Sequence, residues 1–332
     1  MERRKFIAYA IGGVGLSYAG WRSTGGRRMK GLTLNSQALG TKVAITVFHP
    51  DKSTAAKAIQ AAFDAIDKVE QHMSLYQNES QLSRLNRTGR IENPHPELVR
   101  VLRTATRISQ RTGGAFDVTV QPLWKLYSEN SAQGTLPTES DILEARSKVD
   151  WRRIEISDTE IRLKGDGTLV TLNGIAQGYA ADAAYRALRE HNVEHALIDS
   201  GEIGSYGTKP DKENWTIGIR HPRKQDELLG LAGLENRCLA TSGDYETRFS
   251  EDYKNNHLFD PRTGHSPVET ASVSVAAKTA LEADALSTAA FILGPEKGIQ
   301  LIQTTTGADA LFVYKNGRVT STAGFPLLDS MA

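Results

Sequence analysis

Ile161-Arg162-Leu163-Lys164-Gly165-Asp166-Gly167-Thr168-Leu169-Val170-Thr171-Leu172-Asn173-Gly174-Ile175-Ala176-Gln177-Gly178-Tyr179-Ala180-Ala181-Asp182 is the stretch on which the reading of the fold turns. Two aliphatic, β-branched runs flank Gly165-Asp166-Gly167, and that pattern predicts a hairpin. A helix is expected from about Gly178 to Glu190. Hairpin leads to helix here without a strand-helix-strand crossover, and the same mixture recurs along the chain.

Upstream, Lys42–Phe48 alternates and is rich in β-branched residues, so a strand is predicted there. Ile59, Phe63, Ile66, Val69 and Met73 then recur at helical spacing. Pro94 and Pro96 interrupt the chain before a second helix bearing Leu98, Val101, Leu102 and Ile108. Downstream, strands are expected around Ala196–Asp199, Trp215–Arg220, Ser272–Ala276 and Ala310–Tyr314, with a last hairpin at Lys315-Asn316-Gly317. A helix from about Ala280 to Leu293 should stop at Gly294-Pro295. Hairpins and helices without regular β-α-β alternation argue for an α+β fold. No repeat and no domain boundary emerges.

The chain has 332 residues, 39% hydrophobic and 24% charged, with a formal net charge of +1. That near-neutral balance gives no sign of a nucleic-acid surface. With Cys238 as its one cysteine, the chain can form no internal disulfide and no multi-thiolate metal site. Arg3-Arg4-Lys5 precedes the apolar run Phe6–Leu16 and the small-residue stretch Ser17-Tyr18-Ala19. The apolar run falls short of the roughly 20 residues a membrane span needs. Residues 1–19 are therefore expected to be a twin-arginine-type signal peptide, which implies a bacterial periplasmic protein. Loss of Arg3, Arg4, Lys5 and Glu2 would take the net charge to −1. Residues 20–35 are rich in Gly, Ser and Arg and read as a flexible lead-in, leaving 36–330 as the domain.

Four segments combine glycine with polar groups that a core does not require. Gly113-Gly114-Ala115-Phe116-Asp117 permits close backbone approach to a ligand and offers a carboxylate to a base or ribose, or is a turn leading into a strand. Asn173–Asp182 leaves a strand and opens a helix, where free N–H groups favour phosphate; its glycines equally suit close packing. It matches neither a Walker A loop nor G-x-G-x-x-G. Ser242-Gly243-Asp244 is followed by His257-Leu258-Phe259-Asp260-Pro261-Arg262-Thr263-Gly264, a turn by composition, with His257 as a candidate proton acceptor. Lastly, Asp284 and Thr288 lie four residues apart on one helix face. They could supply oxygen ligands to a hard cation such as Mg²⁺, or Thr288 could bond back to the Asp284 carbonyl.

Taken in this order, and with Leu39-Gly40-Thr41, Met73-Ser74-Leu75-Tyr76 and Ser80–Asn86 ahead of them, these segments resemble the ApbE-type FAD:protein FMN transferases. The resemblance spans about Leu39 to Leu327. It implies an α+β fold with FAD in a cleft between lobes. Leu39, Tyr76 and Ala115-Phe116-Asp117 would contact the flavin nucleotide, and Asn173, Tyr179 and Leu258 would complete the pocket. Mg²⁺ would sit on the Ala176 carbonyl, the Asp284 and Thr288 side chains and the Ser287 carbonyl. The activity implied is transfer of FMN from FAD to a Thr or Ser hydroxyl of a target protein, with AMP released. Such a target would be an exported redox protein, among them membrane electron-transfer or respiratory-reductase maturation partners.

Three departures stand out. Leu39 replaces the family's common Met, an apolar exchange of similar volume. Ser200-Gly201-Glu202 stands where Gly-Gly often precedes an acidic residue. Gln177 replaces a Lys in the helix opening and removes a positive charge expected near the pyrophosphate. Hydrolysis of FAD to FMN and AMP is the related alternative. A flavin carrier or assembly factor without catalysis is the alternative of a different class, against which the metal pair counts.

Overall fold

The computed structural model describes residues 29–224 and 226–328, so the signal segment expected at residues 1–19 lies outside the described residues. The first element, β1 (Lys30–Ala38), forms a hairpin with β2 (Thr41–His49) through the two-residue turn Leu39-Gly40. Both turn residues have positive φ, 53° and 75°, which matches the twist of the flanking strands. Strand structure thus starts inside the 20–35 stretch that composition assigns to a flexible lead-in. Pairing with β2 overrides the weak propensity of Lys30–Ser36.

The helix α1 (Lys52–Met73) starts at Asp51, whose side chain accepts the Thr54 N–H at 2.6 Å, and buries Ile59, Phe63, Ile66, Val69 and Met73. Next come α2 (Gln81–Thr88), β3 (Arg90–Glu92) and α3 (Pro96–Arg111), the last with its proline in the first turn. A side lobe follows, made of α4 (Gln121–Ala132) and α5 (Glu139–Ser147). Its small core of Leu123, Tyr127, Ile142, Ala145 and Phe259 ties it to the later 249–264 loop. A short 3-10 turn at Trp151–Arg153 leads to β4 (Ile154–Ile156) and β5 (Glu160–Leu163).

The hairpin expected at Gly165-Asp166-Gly167 does not form. Both β3 and β4 pair with β5, and 168–172 runs on as irregular chain. Asn86 holds the N–H and C=O of Val170 at 2.7 and 2.8 Å, while Val170 and Leu172 are buried in the core. The glycines do turn the chain, with φ of 83° and 74° at Gly165 and Gly167, but distant partners take both arms.

The rest of the chain comprises α6 (Ala176–Glu190), β6 (His195–Asp199), β7 (Ile203–Tyr206), β8 (Trp215–Arg220), β9 (Leu228–Leu234), β10 (Cys238–Gly243), β11 (Thr270–Ala277), α7 (Ala280–Gln303), β12 (Asp309–Tyr314) and β13 (Val319–Ser321). One antiparallel sheet of eight strands runs β1-β2-β6-β7-β10-β11-β12-β13. One face carries α1, α6 and α7; the other carries the β8–β9 ribbon over Leu239, Ala276 and Leu311. The central strand β11 is consequently buried at every position, with Val273 and Val275 toward the helices and Ala276 toward the ribbon. Gly294 (φ 76°, ψ 173°) breaks α7 where the sequence places its stop, and Pro295 restarts it to Gln303. The fold is α+β, as expected. No helix among the described residues is long and apolar enough to cross a membrane.

Candidate active site

The N-terminal turn of α6 abuts the second turn of α7. A Cβ on Gly178 would lie 2.2 Å from the Ala280 carbonyl oxygen and 2.7 Å from Asp284 Cβ, so only glycine allows the two helices this close. A Cβ on Gly174 would meet Thr288 Oγ1 at 3.0 Å. Both glycines of the Asn173–Asp182 segment therefore rest on the two residues singled out as oxygen ligands. Asp284 is only 3% exposed, and its Oδ2 accepts the Gly178 N–H at 2.9 Å. Among the described residues no protein donor reaches its other oxygen. Burial pushes its carboxyl up to about 7, against the pull of the Gly178 N–H.

Thr288 does not bond back to the Asp284 carbonyl; Ser287 Oγ takes that acceptor at 2.9 Å. The Thr288 hydroxyl is instead 3.1 Å from Ser242 Oγ, which also lies 2.8 Å from Ser287 Oγ. Ser242, at the end of β10, is thus a polar partner of the pair that sequence spacing alone does not reveal. Glu202 is a second one. It sits at the β6–β7 turn and accepts the Thr241 N–H at 3.2 Å, beside Ser242. Burial and the nearby Asp284 carboxylate push it well above the usual carboxylate range. The Ser200-Gly201-Glu202 departure was the only signal of its place. Gln177 fills the space next to this turn, its amide nitrogen 2.9 Å from where a Gly201 Cβ would be.

These groups form an all-oxygen set at a helix N-terminus. Asp284 supplies one unengaged carboxylate oxygen, and the Thr288, Ser242 and Ser287 hydroxyls lie together one helical turn further on. Such donors suit Mg²⁺, which takes one or two carboxylates and leaves further positions to water and phosphate. Among the described residues no three His, Cys, Asp or Glu side chains are placed to share an ion. A thiolate- or imidazole-rich transition-metal centre would need such a cluster.

A concavity of about 530 Å³ is lined by Gly113, Gly114, Asp117, Trp151, Pro261 and Arg262, with Arg146, Arg152 and Arg153 around it. It unites the first and third segments, which lie far apart in sequence. Asp117, however, is not free for a base or ribose as expected. Its Oδ1 accepts from the Thr119 N–H and hydroxyl at 2.8 and 2.6 Å, and its Oδ2 from the Trp151 N–H at 2.9 Å. It ties the glycine turn to the 3-10 turn, and burial raises its carboxyl pKa in spite of these donors. Ala115 and Phe116 are buried with their side chains in the core, so contacts to a ligand there fall to the backbone.

His257 is half-buried in the loop after β10. Its Nδ1 is 3.2 Å from the Thr247 carbonyl, an acceptor only, so Nδ1 carries the proton and Nε2 is the basic nitrogen. Burial lowers its pKa and keeps it neutral. Leu258 is buried beside it. Tyr76 is 71% exposed in the α1–α2 loop, a large aromatic with little protein to cover it. Leu39 is held at φ 53°, an uncommon conformation for leucine. Asn173 is exposed next to Gly174. Tyr179 is buried, its hydroxyl accepting from Arg186 at 3.1 Å, and it is not among the residues lining the Trp151 concavity.

The sequence profile of the ApbE family matches residues 39–312. A FAD:protein FMN transferase of Treponema pallidum is 29% identical over 96% of this chain and 94% of its own. One from Haemophilus influenzae is 30% identical over 90% of this chain and 91% of its own. The crystal structure of the ApbE protein of Thermotoga maritima superposes with a TM-score of 0.81 at 28% identity, covering 89% of this chain and 97% of that one. The chain belongs to the ApbE family.

Proposed function

We propose that this chain is an enzyme that transfers FMN from FAD to a Thr or Ser hydroxyl of another protein, with Mg²⁺ bound at the α6–α7 junction. One observation carries the reading: Asp284 and Thr288 converge on Gly178 and Gly174 at the N-terminus of α6. A helix N-terminus beside an oxygen-rich cation site suits a diphosphate. The names carried by the relatives from Treponema and Haemophilus support the substrate. When bound, Mg²⁺ would neutralise the diphosphate and the charge developing on the leaving phosphate.

The chain's own residues account for the remaining steps. Gly174 and Gly178 let the start of α6 pack against Thr288 and Asp284, which brings those oxygens to the helix N-terminus, and the arginines around Trp151 favour an anionic ligand. The acceptor hydroxyl oxygen bonds to the phosphorus of the FMN half while the bond to the AMP phosphate breaks. The hydroxyl proton passes to His257 Nε2, which its environment holds neutral. Positioning and charge neutralisation supply most of the acceleration in such transfers. The acceptor we propose is an exported redox protein; Arg3-Arg4 ahead of an apolar run supports a periplasmic site of action.

Incubation of the protein with FAD, Mg²⁺ and a candidate acceptor, followed by mass spectrometry of the acceptor, tests this reading. Transfer adds one FMN phosphoryl group to the acceptor; hydrolysis leaves FMN free in solution. Asp284→Ala should lower adduct formation by about 100-fold or more. Undiminished transfer by that variant would remove Asp284 from the metal site.

A further inference from the structure

Asp182 has no role in the chemistry above, yet it holds together the two helices that carry it. Its Oδ1 accepts the Ala280 N–H at 2.9 Å and its Oδ2 the Leu281 N–H at 3.0 Å. Tyr206 adds a third donor, its hydroxyl 3.1 Å from Oδ1. Ala280 and Leu281 are the first two residues of α7. The next two N–H groups of that helix are satisfied locally, Glu282 by the Thr279 hydroxyl at 3.1 Å and Ala283 by the Thr279 carbonyl at 3.0 Å. The three N–H groups ahead of the first regular helix bond are thus accounted for, two of them by a carboxylate from another helix.

The arrangement is reciprocal. Asp182 of α6 holds the first turn of α7, and Asp284 of α7 holds the Gly178 N–H in the first turn of α6. Each carboxylate lies one turn beyond the N–H that its own helix donates or presents. Two such contacts fix both the spacing and the rotation of α7 relative to α6. Packing on β10 and β11 holds α7 on the sheet, and the Asp182 contact sets the position of its first turn, on which the placement of Asp284 and Thr288 against Gly178 and Gly174 depends.

We propose that Asp182 is a positioning residue for the divalent-cation site: by holding the Ala280 and Leu281 N–H groups, it sets Asp284 and Thr288 in register with the Ala176 carbonyl. This inference rests on the metal reading above and deepens it. Partners that orient metal ligands commonly change metal affinity about 10- to 100-fold when removed. Asp182→Asn keeps the shape and one acceptor oxygen but cannot accept from both N–H groups.

Mn²⁺ serves as the probe, with free Mn²⁺ counted by electron paramagnetic resonance in titrations of the full chain. Asp182→Asn should weaken Mn²⁺ binding about tenfold. At saturating Mg²⁺ its kcat for FMN transfer should stay within about threefold of wild type, so the loss appears in the metal requirement. Ala280→Pro tests the contact from the other side. Proline is suited to the first helical position, and Thr279 already has the extended backbone that precedes a proline; the ring replaces that N–H with a methylene pressed against Asp182 Oδ1, so the contact is broken from the α7 side. It too should weaken Mn²⁺ binding. A folded Asp182→Asn with wild-type Mn²⁺ affinity and merely a lower Tm would overturn the proposal, as would a folded Ala280→Pro with wild-type affinity if Asp182→Asn does not fold. Failure of the wild-type chain to bind Mn²⁺ would instead sink the metal reading itself.

Discussion

Gly178 and Asp284 are packed so tightly that a methyl group on the first would meet the Cβ of the second at 2.7 Å, while the Gly178 N–H donates to the Asp284 carboxylate at 2.9 Å. The missing side chain and the hydrogen bond depend on each other. Glycine in a helix normally lowers stability by roughly 0.5–1 kcal/mol relative to alanine. Here the close approach of the Ala280 carbonyl reverses that preference.

Gly178→Ala should therefore destabilise the protein despite improving helix propensity. Overpacking of this kind costs about 1–3 kcal/mol, more than the propensity gain. Urea unfolding should show a lower midpoint, and FMN transfer should fall because Asp284 is displaced. A variant as stable and as active as wild type would contradict the packing described.

The His257 environment predicts a pH dependence. Burial lowers its pKa, so the neutral, proton-accepting form persists below the usual value of 6.5 and is lost only as the pH falls through the lowered one. At saturating Mg²⁺, which favours ionised Asp284, the transfer rate should accordingly rise with pH through a midpoint below 6.5. His257→Gln should abolish that limb and reduce the rate by about 100-fold or more. If the variant retains the same pH limb, another group is the base.

Leu39 offers a test in which stability and binding separate. Leu39→Gly relieves a left-handed leucine, worth about 1 kcal/mol or more, and restores a similar amount of chain entropy to the unfolded state. The two nearly cancel, so the Tm should stay within a few degrees. If the leucine side chain touches the flavin nucleotide, KM for FAD should rise about tenfold through lost apolar contact. An unchanged KM would confine Leu39 to the hairpin turn.

The parts of the fold visible in the sequence were those written in local periodicity. Ile59 to Met73 announced α1, and the β-branched run at Lys42–Phe48 announced β2. Asp284 and Thr288 were legible for the same reason: four residues on a helix make neighbours without help from elsewhere. Partnerships made by distant pairing were not. Ser242 meets Thr288 because β10 ends beside α7, and Glu202 meets Thr241 because β7 pairs with β10. Asp117 looked like a ligand group, but its two protein partners, Thr119 and Trp151, become visible only when the 3-10 turn folds back. Gly165-Asp166-Gly167 carried every local mark of a hairpin, yet β4 and β3 claimed one arm and Asn86 the other.

The pairing of Ala44 in β2 with Asp199 in β6 has a consequence for how the chain emerges from the ribosome. Strand β2 has its apolar face, Val43, Ile45 and Val47, ready long before β6 exists to complete that part of the sheet. At ordinary translation speeds the delay is roughly 10–30 s. Throughout that interval the backbone N–H and C=O groups along the outer side of β2 lack their strand partner, an open edge of the kind that non-local pairing closes slowly.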